Sequence, residues 1–339
     1  MQNKVIVCSI KQNLIEKTLR KIEESLIRKG LFDFSFLSCS CFEDCQSFCK
    51  DAKNSADKTI VICDNDKIDK LLDTIKENDD KFSFVEEHAV KLEKTTTFRN
   101  MLFVPIELSF DKFLDAFLDK REVHICSIFG KNFDFVKTKF DEIKNNFSGV
   151  FGYRIITNGQ FLHNVYYSAH LDQNVLTTHF GESIFSQDGK TLQEKVVGKM
   201  LSQNMTMAIA DNLTFAGIIS KLSEDCEQIS KVLKNVVVLN GDSSFEKLDI
   251  SKEFLDEKGS VSKETVFEMA KNLLKKTEAE IALAITGFDC DAGRCFVAIV
   301  NKQDGFVFSS AFHGDRSERL ENIIHFALFR LLKFLNEKY

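Results

Sequence analysis

Residues 191–216 read TLQEKVVGKMLSQNMTMAIADNLTFA. Leu192–Ser202 has the make-up of a helix, Met205–Ala210 that of a buried strand, and a second helix is expected from about Asn212. The pattern continues outward in the same style. A strand is expected at Asn235–Leu239. Gly259-Ser260-Val261-Ser262 leads into a helix whose start carries a Ser262-x-x-Thr265 capping pattern. Ile281–Ile285, Phe296–Val300 and Gly305–Phe312 read as further strands, and a helix over Leu320–Leu335 closes the chain. Helices on both sides of buried strands predict an αβα domain over 188–339.

Upstream, residues 121–172 have a different character. Val123, Ile125 and Ser127 alternate, a helix covers about Phe133–Ile143, and strands follow near Gly152–Thr157 and Phe161–Ala169. Asn158-Gly159 between those strands is a hairpin signal, because both residues tolerate positive φ. A small α+β module is expected. Residues 1–120 alternate strand and helix. Lys4–Ile10, Phe32–Leu37, Thr59–Cys63 and Met101–Ile106 are the strands, and Leu14, Leu19, Ile22, Leu26 and Ile27 mark a helix that ends at Gly30. That spacing predicts βαβ units and a parallel sheet. The polar stretch 76–100 reads as a surface excursion, and a helix is expected from roughly Ser109 to Leu118.

Composition agrees with an α/β protein of two or three domains: 339 residues, 44% hydrophobic and 28% charged. A net charge of −6 argues against a nucleic-acid surface. No apolar run is long enough to cross a bilayer. Met1–Ile10 alternates polar and apolar residues and does not read as a signal peptide, so a cytoplasmic location is expected. Of the ten cysteines, Cys39, Cys41, Cys45 and Cys49 are grouped, the last three at four-residue intervals along one helix face. No CxxC pair or nearby histidine accompanies them, so buried thiols in a core explain the spacing better than a metal site. The 33 phenylalanines read as replacements for other large apolar residues in the cores.

Several stretches resemble, in order, the CinA (competence/damage-inducible) family. Thr191–Ala216 resembles the opening of its C-terminal domain, with Ala210–Ala216 standing where the family has Ala-Glu-Ser-Cys-Thr-Gly-Gly. Gly259–Ser262 resembles its Gly-Ala-Val-Ser, Ala284–Gly287 its Ala-Val-Thr-Gly, and Phe312–Arg316 its Phe-x-Gly-Asp-Arg. Residues 121–172 resemble the KH-like module of full-length members. Residues 1–120 resemble their molybdopterin-binding-like domain, with Leu102–Leu108 in place of a Pro-rich segment. The resemblance implies a homodimer whose C-terminal domain deamidates nicotinamide mononucleotide, and an N-terminal domain that hydrolyses ADP-ribose with a divalent metal.

The same resemblance implies that the chemistry has been lost. The nucleophilic serine position is Asn212, which cannot form the usual acyl intermediate but remains a good helix N-cap. The two glycines are Phe215 and Ala216, the tyrosine is Leu239, and the lysine position is Ser244, with Lys247 three residues on. Ser220, two turns into the expected helix, reads as an ordinary helix-face residue. Residues left to bind a pyridine nucleotide or ADP-ribose are Asp211, Asn212, Thr214, Thr286, Gly287, Asp315 and Arg316. Arg316 could hold a phosphate or simply pair with a carboxylate. In the first domain, Asp64 and Asp66 could help hold a hard cation, or could be the turn and cap of the next helix. The expected protein is therefore a degenerate member acting as a nucleotide binder or scaffold. The alternative is a hydrolase with relocated groups.

Overall fold

The computed structural model describes residues 3–8, 12–39, 41–53, 58–75, 80–86, 89–94, 100–105, 122–147, 151–168, 171–224, 226–288 and 293–338. The fold is α/β. Two compact units result: 1–124 with 144–154 and 166–170, and 125–143 with 155–165 and 171–339. Residues 121–172, expected as a module of their own, are divided between the two.

The first unit contains β1 (Asn3–Cys8), α1 (Gln12–Arg28), β2 (Phe34–Cys39), α2 (Phe42–Lys53), β3 (Thr59–Cys63), α3 (Asn65–Ile75), β4 (Asp80–Glu86), β5 (Ala89–Lys94) and β6 (Asn100–Pro105). Its sheet order is β2-β1-β3-β6-β5-β4. The β1–β2, β1–β3 and β3–β6 pairs are parallel, as the βαβ spacing predicts. The stretch 76–100 is not a surface excursion. Its β4 and β5 pair antiparallel, and β5 pairs antiparallel with β6, so the segment extends the sheet. The alternation in DKFSFVE and AVKLEK is a period-2 strand pattern that its polar content masks. The helix expected over 109–118 lies outside the described residues. Cys45 and Cys49 are buried in the core of this unit beside Ile6, Val61 and Phe103, as their helical spacing predicts; Cys39 joins them from β2, whereas Cys41, expected on the same helix face, is exposed.

Next come β7 (His124–Phe129), α4 (Phe133–Asn146), β8 (Tyr153–Asn158), β9 (Leu162–Tyr167), α5 (Gln173–Phe180) and β10 (Ile184–Ser186), with a sheet ordered β10-β7-β9-β8. The predicted hairpin is present. Gly159 has φ +63°, and a Cβ there would come within 2.6 Å of the Asn322 side chain.

The remaining elements are α6 (Leu192–Ser202), β11 (Met207–Asp211), α7 (Gly217–Glu224), α8 (Ile229–Val232), β12 (Leu233–Val238), α9 (Lys252–Lys258), α10 (Lys263–Thr277), β13 (Ile281–Gly287), β14 (Arg294–Asn301), β15 (Gly305–Ala311) and α11 (Arg316–Lys338). Their sheet is ordered β12-β11-β13-β14-β15, parallel in its first two pairings and antiparallel in the last two. Side-chain size separates its faces. Met207, Ile209, Ile281, Leu283, Ile285, Val297 and Ile299 pack on one side with residues of α6, α7 and α11. Ala208, Ala210, Ala282, Ala284 and Ala298 pack on the other with Val266, Met269, Ala270 and Leu273 of α10. Small side chains allow a helix to approach closely, and large ones fill the wider opposite layer. This is the expected αβα arrangement. No helix among the described residues is long and apolar enough to cross a membrane.

Candidate functional site

The parallel strands β11 and β13 end together, with Asp211 paired to Ile285, and such strand ends are where open α/β sheets place their ligands. Asp211 is buried and turns its carboxylate back onto the following loop. Oδ1 accepts from the amides of Leu213 (2.9 Å) and Thr214 (2.7 Å), while Oδ2 accepts from the Ala216 amide (2.9 Å) and the Thr214 hydroxyl (2.5 Å). Gly217 N–H closes the turn onto the Thr214 carbonyl at 2.9 Å. A carboxylate at a helix start is stabilised by free N–H groups and by the helix dipole.

Two expectations change here. The helix begins at Gly217 rather than at about Asn212, because Asp211 holds 212–216 as a closed loop. Asn212 is therefore not its N-cap. Its amide N–H donates to the Ile285 carbonyl at 3.0 Å, and its side-chain Nδ2 donates to the Thr286 hydroxyl at 3.1 Å. Asp211 instead holds the loop, in an Asp-x-x-Thr pattern visible in the sequence, and the Thr214 hydroxyl accepts from the first-turn amide of Ile218 at 3.4 Å.

Phe215 and Ala216 both have positive φ, 53° and 70°. These are the two positions where the resembled motif has glycine, so the glycine-type backbone persists under residues that bear the strain. The Phe215 ring is 58% exposed, and the Arg316 guanidinium lies over it at 5.5 Å.

Thr286 is fully buried, its hydroxyl donating to the Ser260 carbonyl at 3.0 Å. Gly287 is demanded by packing, because a Cβ would come within 2.5 Å of the Arg294 carbonyl and 2.7 Å of Leu213. Leu239 is buried, with its N–H on the Asp211 carbonyl at 2.8 Å. The Ser244 hydroxyl closes its own turn, donating to the Gly241 carbonyl (2.6 Å) and accepting from the Asn240 amide (2.9 Å). Asp315 caps α11, accepting from the Glu318 amide at 2.9 Å. Lys247 and Ser220 are exposed. The structure thus gathers Asp211, Asn212, Thr214, Leu239, Thr286 and Gly287 at one end of the sheet, and Phe215 links Arg316 to them.

Residues 189–335 match the family model described as the CinA C-terminal domain. This part of the chain belongs to the CinA family. The chain is similar to a "CinA-like protein" of Geotalea daltonii, 28% identical over 162 residues, covering 45% of this chain and 39% of that protein. A "CinA-like protein" of Fervidobacterium nodosum is 31% identical over 121 residues, 35% of this chain and 29% of that one. Each alignment thus spans well under half of the relative's length. Among solved structures, the competence or damage-inducible protein of Enterobacter asburiae is similar with 24% identity and a TM-score of 0.41, covering 42% of this chain and 96% of that one.

The residues expected to hold a metal lie outside the CinA domain. Asp64 is paired with Lys67 Nζ at 2.6 Å, Asp66 is exposed on the first turn of α3, and no group of three His, Cys, Asp or Glu side chains converges among the described residues. With Asp64 engaged by Lys67 and Asp66 within the first turn of α3, these two carboxylates do not by themselves make a ligand set for a divalent ion. Cys41 is exposed at the start of α2, its sulfur accepting the Asp44 amide at 3.4 Å. That amide pulls its thiol down, but the neighbouring Asp44 and Glu43 carboxylates outweigh it and hold the thiol above its ordinary value.

Proposed function

We propose that the CinA domain of this chain catalyses no hydrolysis and serves as a scaffold. Asn212 carries this reading: it stands at the position of the nucleophilic serine and its side chain is tied to the Thr286 hydroxyl, while Asp211, where the resembled motif also has a carboxylate, takes up the Leu213, Thr214 and Ala216 amides of the loop. Asn212 offers no nucleophile, while Leu239 and Ser244 offer no base. Of the two roles the family resemblance leaves, nucleotide binder or scaffold, the filled loop favours the scaffold. A homodimer is the assembly that resemblance carries, and sedimentation of the full chain reads it directly.

The test is ammonia release from nicotinamide mononucleotide. The full chain is expected to give the rate of buffer alone, and a turnover that Asn212→Ala abolishes sinks the proposal. A thermal-shift titration with the same nucleotide and with ADP-ribose separates the two roles. No shift is expected, and a saturable shift lost in Arg316→Ala would make the protein a nucleotide binder.

A further inference from the structure

A concave site lies in the unit that holds the CinA domain, along the edge strand β15 and the face of α11, and it shares no lining residue with the 211–217 loop. Its volume is about 440 Å³, inside the roughly 300–1,000 Å³ range of small-molecule pockets. Half of its lining residues are phenylalanines, including Phe308, Phe326 and Phe329. A side-chain set so uniform presents flat apolar faces on several sides, which suits a flat apolar guest.

Charge in this cavity is arranged by depth. Arg330 and Lys333 line it half-buried, whereas the lining carboxylates Glu182 and Glu337 are exposed. The Arg330 guanidinium lies between two rings, 5.0 Å from the centre of Phe308 and 5.2 Å from that of Phe326. Lys333 Nζ lies 5.4 Å from the centre of Phe329. Among the described residues neither cation has a carboxylate within ion-pair distance, and Arg330 Nε is buried with no hydrogen-bond partner. Ring faces hold such cations in place without neutralising them. A half-buried positive charge is screened less than a fully exposed carboxylate, so the two cations dominate the field among the rings.

We propose that this cavity binds a flat aromatic carboxylate, its rings among the phenylalanines and its acid group on Arg330 and Lys333. The planar guanidinium is the donor that suits a carboxylate. The proposal is independent of whether the 211–217 loop is catalytic, since the two sites have no residue in common.

Titration of the full chain with 2-naphthoate, followed by saturation-transfer NMR, tests it, with uncharged 2-naphthamide as the control. Naphthoate is expected to bind saturably and naphthamide about tenfold more weakly, the loss of one charge-assisted interaction. Arg330→Met is expected to weaken naphthoate several-fold, towards the level of naphthamide that Lys333 alone keeps it from reaching, and to leave naphthamide unchanged. Ser310→Trp, on β15 rather than α11, places a large ring in the cavity and is expected to abolish both signals, so it serves if Arg330→Met does not fold. Absence of naphthoate binding, equal affinity for the two probes, or binding undiminished by Ser310→Trp would each overturn the proposal.

Discussion

Replacing Asp211 by alanine leaves three amides and the Thr214 hydroxyl without their acceptor in a largely buried loop. Hydrogen bonds to a charged acceptor contribute about 1.5–3 kcal/mol each when the partner is stranded, so Asp211→Ala should cost about 3 kcal/mol or more. Urea unfolding of the full chain reads this directly, and a cost below about 1 kcal/mol would mean that the loop is held by something else. The neighbouring positive-φ residues give a paired prediction. A non-glycine residue in that conformation costs about 1–2 kcal/mol, so Ala216→Gly should raise stability by about 1 kcal/mol. Phe215→Gly relieves the same strain but gives up the contact with Arg316, which is worth about 0.5–1 kcal/mol at an exposed site. Its net effect should be near zero. Equal gains from both substitutions would show that the Arg316–Phe215 contact contributes nothing.

At the level of elements, the alternation of large and small residues in β11, β13 and β14 sets which helix can lie on which face. Ala284 is fully buried on the side that α10 covers. Ala284→Leu should therefore destabilise by about 1–3 kcal/mol through overpacking, while Leu283→Met, volume-conserving on the opposite face, should cost under about 1.5 kcal/mol. Thermal unfolding of the two variants side by side checks the asymmetry. Strands of this kind are legible in sequence because their apolar runs are bounded by polar turns, as are the Ser262 cap and the Asn158-Gly159 hairpin. Two features are not legible by the same rules. The β4–β5 hairpin is hidden because its two strands carry many charged residues, so mean polarity obscures the alternation. The start of α7 is misplaced because Asn212, a good cap by residue type, is pre-empted by the buried carboxylate one position earlier. The candidate site is legible as a set of positions, and its filled state is not, because that depends on where Asp211 turns its side chain. The aromatic cavity escapes sequence reading for a related reason. Phenylalanines that wall a cavity and phenylalanines that fill a core carry the same periodicity.

On the scale of the whole molecule, two buried histidines tie stability to pH. His325 is buried on α11 with Nδ1 lacking a hydrogen-bond partner among the described residues, and burial, helped by the Lys221 charge, pushes its pKa down to about 3. His163 is also buried and held below its ordinary value by desolvation, which its contact with the Lys131 carbonyl only partly offsets. In the unfolded chain both titrate near 6.5. A folded pKa below the unfolded one means that the unfolded chain binds more protons in between. The stability contributed by a neutral His325 is therefore complete above about pH 6.5 and is lost progressively as pH falls towards about 3. From pH 7 to pH 5 the loss from His325 amounts to about 2 kcal/mol, with a contribution of the same sign from His163. Asp188, held at about 2 by hydrogen bonds from Ser186, Lys195 and the Lys190 amide that outweigh its desolvation, acts only at lower pH, so it does not blur that window. Urea midpoints measured every half unit between pH 5 and 7 should fall steadily with acidification in the parent protein. His325→Leu should flatten most of that slope, and an unchanged slope in the variant would show that His325 takes up its proton without unfolding.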